Sequence, residues 1–336
     1  MGGEIDAVIL AEKKVFVTGA GGFVGSHLVE RLLRTGASVR AFVRYTSTSR
    51  PSHLDAIPAE LKGRLEIVAG DLRDSAAVRQ ACAGCEVVFH LGALVGIPYS
   101  YLHPLEVVET NTLGTLYLLL AARDYQVERV IHTSTSEVYG TAERVPISED
   151  HALRGQSPYS ASKIGAEKLA ESFHAAYELP VVILRPFNVY GPRQSARAVI
   201  PTIITQALAG SAVRLGNLEA TRDFTFVEDT VSAFVRAAEA DEAVGRIINV
   251  GSEFEISIRD LANKILALAG RAALLEVEQA RERPTKSEVR RLLSDSSLAH
   301  TLLGWRPQMA LDAGLRATIE WIASHPEAYV AGRYEI

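Results

Sequence analysis

The sequence predicts an α/β fold, a doubly wound parallel sheet with a smaller, partly interleaved C-terminal α/β domain. Two observations carry this. Between residues 12 and 190, short and almost wholly apolar runs alternate with longer segments whose apolar residues recur at helical spacing. A strand that is apolar throughout must be covered on both faces, as the strands of a parallel sheet are. Beyond Arg193 the rhythm weakens into loops, short strands and separate helices, so residues 191–336 are read mostly as a second domain, with a stretch near 222–250 returning to the first.

Taken in order, "KKVFVTGAGGFVGSHLVERLLRTGASVRAFVR" gives a strand, a glycine-rich turn, a helix stopped at Gly36 and a second strand. "LEIVAGD" is a strand, "SAAVRQACAG" a helix and "EVVFHLGA" a strand. "ETNTLGTLYLLLAARDY" reads as one long helix, "ERVIHTS" as a strand, "SASKIGAEKLAESFHAAYEL" as a helix and "PVVILRPFNVYG" as a single strand. In the second half, "AVRLG" and "INVGS" are short strands. "VEDTVSAFVRAAEA", "SIRDLANKILALAG" and "DAGLRATIEWIASH" are helices.

The chain has 336 residues, 48% of them apolar, with a net charge of −5 and a pI near 6.0. No block of Lys and Arg and no basic helix marks a nucleic-acid or membrane-surface binder, so a small molecule is the expected partner. The N-terminal "MGGEIDAVILAEKK" lacks a basic leader region, and no apolar stretch reaches the roughly 18 residues of a membrane span. The expected location is the cytoplasm. The two cysteines, Cys82 and Cys85, form a C-x-x-C with no second pair to complete a metal site. They read as a helix end and a buried strand start, and no metal is expected.

"TGAGGFVGSH" places Gly19, Gly22 and Gly25 between a strand and a helix. There, glycines allow a tight turn and close approach of a pyrophosphate to the helix N-terminus. This is the Rossmann-type dinucleotide fingerprint. An NAD site of this kind usually places an acid at the end of the second strand; here Val43 and Arg44 stand there, before a hydroxyl-rich loop. Arginine suits a 2′-phosphate, which favours NADP; Arg44 can instead stack on adenine, which leaves NAD open. Asp71 can accept from the adenine amino group. Phe23, Val24, Leu72, Leu91, Ala93 and Pro186 complete the cofactor candidates.

"SPYSASK" puts Tyr159 and Lys163 one helical turn apart on one face. An ammonium near a phenol lowers its pKa from about 10 toward the working range of a general base. Tyr159 would then take a hydroxyl proton while hydride leaves the same carbon. In "HTSTSEVYG", Thr135, Ser136 and Glu137 follow a buried strand and so arrive at the sheet's carboxyl edge. Glu137 there is a base, or it caps the turn that follows.

These motifs, with "GDL" at 70–72, "HLGA" at 90–93, Asn111, "RPFNVYGPR" and "TRDFTFVED", resemble the extended short-chain dehydrogenase/reductase superfamily of nucleotide-sugar epimerases and dehydratases over nearly the whole chain. The resemblance implies a tightly held, internally recycled nicotinamide cofactor, and a C-terminal domain that holds the nucleotide sugar. It also implies substrate contacts from Asn188, Val199, Arg222 and Arg283, and a homodimer through a four-helix bundle. The apolar residues of "TNTLGTLYLLLAARD" and "SASKIGAEKLAESFHAAYE" spread wider than one stripe, which fits a second buried face or packing within the subunit.

A 4-epimerase needs a hydroxyl, Tyr and Lys. A 4,6-dehydratase also needs a base at C5, and Glu137 supplies one. Many dehydratases of the superfamily show Thr-Asp-Glu; this chain has Ser136 in the middle, similar to the Thr-Ser-Glu of GDP-mannose 4,6-dehydratases. Protonated Glu137, or a water held by Ser136, then serves the leaving C6 hydroxyl. UDP-glucuronate decarboxylases look alike at this motif. "HLGALVGIPYSYLHP", "NVYGPRQSARAVIPTII" and "SEVRRLLSD" look most like dehydratases of legionaminic (nonulosonic) acid pathways, which act on NDP-N-acetylglucosamine-type sugars such as UDP-GlcNAc or GDP-GlcNAc. Between Gly96 and Pro104 only His103 offers a cation for a uronate, while Tyr99 and Tyr101 suit an uncharged sugar face or simple packing. A non-catalytic dinucleotide sensor is the reading from another class, and the joint presence of Tyr159, Lys163, Thr135 and Glu137 counts against it.

Overall fold

The computed structural model describes residues 10–45, 53–281, 284 and 286–329. Strands β1 (Lys14–Thr18), β2 (Ser38–Arg44), β3 (Leu65–Gly70), β4 (Val87–His90), β5 (Arg129–Thr133), β6 (Val181–Pro186) and β10 (Ile247–Val250) form one seven-stranded sheet. Its order is β10-β6-β5-β4-β1-β2-β3, and every pairing is parallel. Helices α1 (Phe23–Arg34), α2 (Ser75–Cys82), α5 (Gly114–Asp124) and α6 (Pro158–Tyr177) connect these strands, and α8 (Val227–Glu239) precedes β10.

Side chains of a strand alternate between faces, and here the alternation feeds two cores. Val15 and Val17, Phe89, Ile131, Val182 and Leu184 pack with Leu28 of α1 and Val231 and Phe234 of α8. Phe16, Val88, Val130, Val181 and Ile183 pack on the opposite face with Leu118 of α5 and Phe173 of α6. The central strands β1, β4, β5 and β6 are buried almost throughout. Edge strand β3 is covered on one side only, and Ile67 is exposed.

The remaining elements are α3 (Ile97–Leu102), α4 (Pro104–Val108), β7 (Asn188–Tyr190), α7 (Val199–Ala209), β8 (Ala212–Leu215) and β9 (Thr221–Phe226). They continue with β11 (Glu255–Ser257), α9 (Ile258–Leu268), β12 (Leu274–Val277), α10 (Ser297–Leu303) and α11 (Leu311–Ser324). A three-stranded sheet, β11-β9-β7, sits at the carboxyl side of β6, and β8 pairs with β12. Asp223 of β9 is wholly buried and accepts from the amides of Ser252, Glu253 and Ser294 and the hydroxyls of Ser252 and Ser294. One carboxylate thereby gathers the loop after β10 and the segment that runs toward α10.

Two expected elements are broken. "PVVILRPFNVYG" is not one strand: β6 ends at Pro186, Phe187 donates to the Val250 carbonyl at 2.9 Å, and β7 joins the other sheet beside β9. The expected long helix at 109–125 opens with a wider π-type turn at Glu109–Leu113 before α5 begins at Gly114. The buried Asn111 lies in that turn and bonds to both backbone groups of Leu94. Such turns are rare and concentrate at functional sites. Cys82 ends α2, Gly84 adopts φ +70° and Cys85 is buried before β4, as the helix-end reading requires. Burial pushes the Cys82 thiol up to about 12, which leaves it unreactive. Among the described residues no helix is long and apolar enough to cross a membrane.

Candidate active site

In an open parallel sheet, ligands bind beyond the carboxyl ends of the strands where the strand order reverses. Here that point lies between β1 and β4. Gly19, at φ +68°, presses its backbone on Gly92: a Cβ on Gly19 would lie 2.8 Å from the Gly92 nitrogen, and one on Gly25 would lie 2.2 Å from the Gly19 carbonyl oxygen. Gly22 donates to that same oxygen at 3.0 Å and becomes the N-cap of α1. No side chain caps α1 and no acid stands in its first turn, so its first amides, at Phe23 and Val24, remain for a ligand.

The cleft beside this turn is lined by Gly19, Phe42, Arg44, Asp71, Leu72, Gly92, Ala93 and Leu94. Leu91 joins β1 through its amide to the Thr18 carbonyl, and Pro186 lies at the corresponding end of β6. Arg73 chelates the Asp71 carboxylate at 3.0 and 2.7 Å and holds it below the usual carboxylate range. Arg44 donates to Glu106 at 3.1 Å, Arg73 lies 3.7 Å from the same carboxylate, and Tyr99 hydrogen-bonds its other oxygen. This end of the cleft thus carries two arginines and two carboxylates.

At the end of β5, Thr135 caps a single tight turn, Ser136–Tyr139, by accepting from the Glu137 amide at 3.2 Å. Ser136 is buried within that turn. Tyr159 is fixed by the start of α6: Ser157 and Ser160 form a reciprocal capping box, with Pro158 in the first turn. Both Tyr159 and Lys163 are buried. The Thr135 hydroxyl favours the Tyr159 phenolate while the Glu137 charge opposes it, and the turn that carries Glu137 packs against α6.

One expectation is corrected here. The Tyr159 phenol lies above its usual pKa, not below it, because burial outweighs every other influence. The Lys163 ammonium does not supply the lowering. It donates to the Thr133 carbonyl at 2.6 Å, and burial brings its own pKa down to about 8 against the Glu167 carboxylate. Beside it, buried His90 and His132 lie 5.5 Å apart and are held neutral, His90 down to about 3.

Sequence reasoning missed several parts of this arrangement. Thr18 accepts from the Gly92 amide at 3.0 Å and bonds to His90 at 2.7 Å, fixing the two strand ends that flank the crevice. Asn111 donates to Ser162 at 3.0 Å, tying the segment after β4 to α6. The glycine of "HLGA" was the available signal for the first; nothing in the sequence marked the second as a brace.

The Asn188 Oδ1 is buried without a hydrogen-bond partner among the described residues. Val199 begins α7. Arg222 is buried, donating to its neighbour's carbonyl and lying 3.4 Å from Glu288. Arg283 lies outside the described residues. Among the described residues no cluster of His, Cys, Asp or Glu is placed to hold a metal.

A fingerprint turn at the switch point, with Tyr159, Lys163 and Thr135 at the next strand end, defines an extended short-chain dehydrogenase/reductase. A family model described as GDP-mannose 4,6 dehydratase matches residues 16–318, and the chain belongs to that family. It is 36% identical to a UDP-glucose 4-epimerase of Mycolicibacterium smegmatis, over 92% of this chain and 98% of that one. It is also 36% identical to a dTDP-glucose 4,6-dehydratase of Streptomyces griseus, over 93% and 94% respectively. The solved structure of DesIV, a dTDP-glucose 4,6-dehydratase from Streptomyces venezuelae with NAD bound, superposes with a TM-score of 0.85 at 29% identity, over 94% of this chain and 98% of that one.

The cradle should tolerate no side chain at its tightest point. Gly25→Ala, whose Cβ has no room beside the Gly19 carbonyl, should weaken dinucleotide binding at least about a hundredfold while the protein stays folded. Calorimetric titration of the cofactor-free protein checks this, and unchanged affinity would contradict it. Lys163 gives a pH signature. Between pH 8 and 10.5 its amine is neutral in the folded protein and protonated in the unfolded chain, so stability should rise with pH there, by about 3 kcal/mol at most. Denaturant unfolding at pH about 7 and about 10 should show wild type gaining on Lys163→Met as pH rises; parallel curves would refute the assignment.

Proposed function

We propose that this protein is a nucleotide-sugar 4,6-dehydratase that converts an NDP-N-acetylglucosamine-type sugar to its 4-keto-6-deoxy derivative around a tightly held nicotinamide dinucleotide. The observation that carries the reading is Glu137 in the Thr135-capped turn that packs against α6, the helix bearing Tyr159 and Lys163. The glycine cradle and the uncapped α1 terminus suit the dinucleotide's pyrophosphate. The chemistry such a cofactor supplies when bound is reversible hydride exchange with the sugar, from C4 at the outset and to C6 at the end.

The chain's own groups handle the protons. Tyr159 accepts the C4 hydroxyl proton, with the Thr135 hydroxyl favouring its phenolate and the Lys163 charge one helical turn away. With a ketone at C4 the C5 proton becomes acidic, and the Glu137 carboxylate takes it. The C6 hydroxyl then leaves as water with a proton from Glu137, or from a water held by Ser136; as C6 is reduced, a proton from water replaces the one lost from C5, and the Tyr159 proton passes back to solvent. In this reading Asn188 and Arg222 bind the diphosphate and Val199 contacts the nucleotide.

At the adenosine end, Arg44 alone points to a 2′-phosphate and hence to NADP. Its engagement by Glu106, with Asp71 close by, leaves no net positive charge for that phosphate and supports NAD. The second reading, a 4-epimerase, draws support from the mycobacterial relative and leaves Glu137 as a turn residue. A uronate decarboxylase has less to stand on, since the His103 ring packs against Tyr99, their centres 4.5 Å apart and their planes tilted by 37°.

We also propose a homodimer through α5 and α6, where Leu113, Tyr125 and Tyr177 remain exposed. Analytical ultracentrifugation should find twice the chain mass; a monomer at micromolar concentration would remove this assembly.

For the reaction, incubation with UDP-GlcNAc or GDP-GlcNAc should give a product lighter by one water with a new C6 methyl doublet by proton NMR. Constant mass with inversion at C4 would instead establish the epimerase. Glu137→Gln should still oxidise C4 yet not eliminate, so reduced-cofactor absorbance accumulates. Tyr159→Phe should show no such absorbance. Normal turnover of the Glu137 variant would exclude it as the base.

A further inference from the structure

Two buried side chains outside the chemistry above tie its halves together. Glu167 lies on α6 one turn beyond Lys163 and two beyond Tyr159, and Arg185 is the last residue but one of β6. Their side chains are 0% and 1% exposed. The guanidinium donates through Nε to Glu167 Oε2 at 3.0 Å and through Nη2 to the other carboxylate oxygen. Its remaining arm, Nη1, reaches the Tyr139 hydroxyl at 2.7 Å and the Glu149 carbonyl at 3.2 Å. It also lies 4.8 Å from the centre of the Tyr139 ring. Tyr139 in turn donates to Asn249 Oδ1 at 2.7 Å, and Asn249 stands opposite Arg185 in the β6–β10 register. Tyr139 closes the same short turn that carries Glu137.

A wholly buried ion pair is a poor device for stability alone, because apolar side chains of the same shape serve as well or better. Its distinctive contribution is direction: a guanidinium is a planar fork that fixes the relative placement of everything it bonds. Here one face of the fork holds the helix bearing Tyr159 and Lys163, and the other holds the turn bearing Glu137.

We propose that Arg185 and Tyr139 are positioning residues for proton abstraction at C5, bolting the Glu137 turn to the Tyr159 helix. The inference rests on the dehydratase reading. Sugar oxidation depends on α6 and on Thr135, which stands two residues beyond β5 at the start of the turn, at the opposite end from Tyr139. Elimination depends on Glu137, which reaches its place only through the turn that Tyr139 anchors. A displacement on the order of 1 Å in a reacting group can cost about a hundredfold in rate.

Tyr139→Phe keeps the ring and its packing and removes only the hydroxyl. Single-turnover measurements on the holoenzyme, with whichever of UDP-GlcNAc and GDP-GlcNAc the wild type dehydrates, follow near-ultraviolet absorbance of reduced nicotinamide and loss of water by mass spectrometry. The expected result is C4 oxidation within about twofold of wild type and elimination slowed about tenfold or more, with KM little changed, so that reduced cofactor builds up. A purely structural role would slow both steps together or neither, and either outcome overturns the proposal. Asn249→Ala removes the acceptor of the Tyr139 hydroxyl and leaves the Arg185–Glu167 pair in place, should show the same split, and stands in if Tyr139→Phe does not fold. A wild-type protein that removes water from neither sugar overturns the dehydratase reading and this inference with it. Wild-type water loss with an unsplit variant overturns the positioning role alone.

Discussion

The backbone contact between Gly19 and Gly92 is the constraint on which the rest of the molecule depends. Two neighbouring parallel strands send their chains in opposite directions at this point, and the crevice between them exists because neither following residue has a side chain to fill it. Thr18 holds the two ends in register by accepting from the Gly92 amide while pairing with His90. The first turn of α1 is thereby aimed into the crevice, and the strand ends of β5 and β6 are brought to the same edge.

The second constraint is dryness. Lys163, Tyr159, His90 and His132 are all buried, and burial acts on each in the direction that removes charge. Against this background the few groups that keep a charge have large effects on their neighbours. Glu167 offsets part of the desolvation of Lys163 and is itself neutralised by Arg185. The histidines, held neutral, add no competing positive charge.

Much of this was legible in the sequence because it rests on local rules. Strands such as "VVFH" are apolar at every position because both faces are covered, and the glycines of the cradle sit where a Cβ meets backbone. Tyr159 and Lys163 read one turn apart at a helix start, and the Ser157–Ser160 capping box that opens α6 at Pro158 places them so. What escaped notice depends on distant partners. Pro186 and Phe187 divide an apolar run between two sheets, a break fixed by Val250 and β9 and not by local propensity. Asn111 opens the helix before α5 by bonding to Leu94, seventeen residues earlier in the chain. The spacing of Tyr159 and Lys163 was correct, but spacing says nothing of how dry the pocket is. The sign of the phenol's shift was therefore misread.

Glu137, in the turn packed on α6, places its charge within reach of the Tyr159 phenol and discourages its ionisation. The two groups therefore hold one negative charge more readily than two. A pair with this property acts as a proton ledger: once either base has been filled, the other is freer to stay empty.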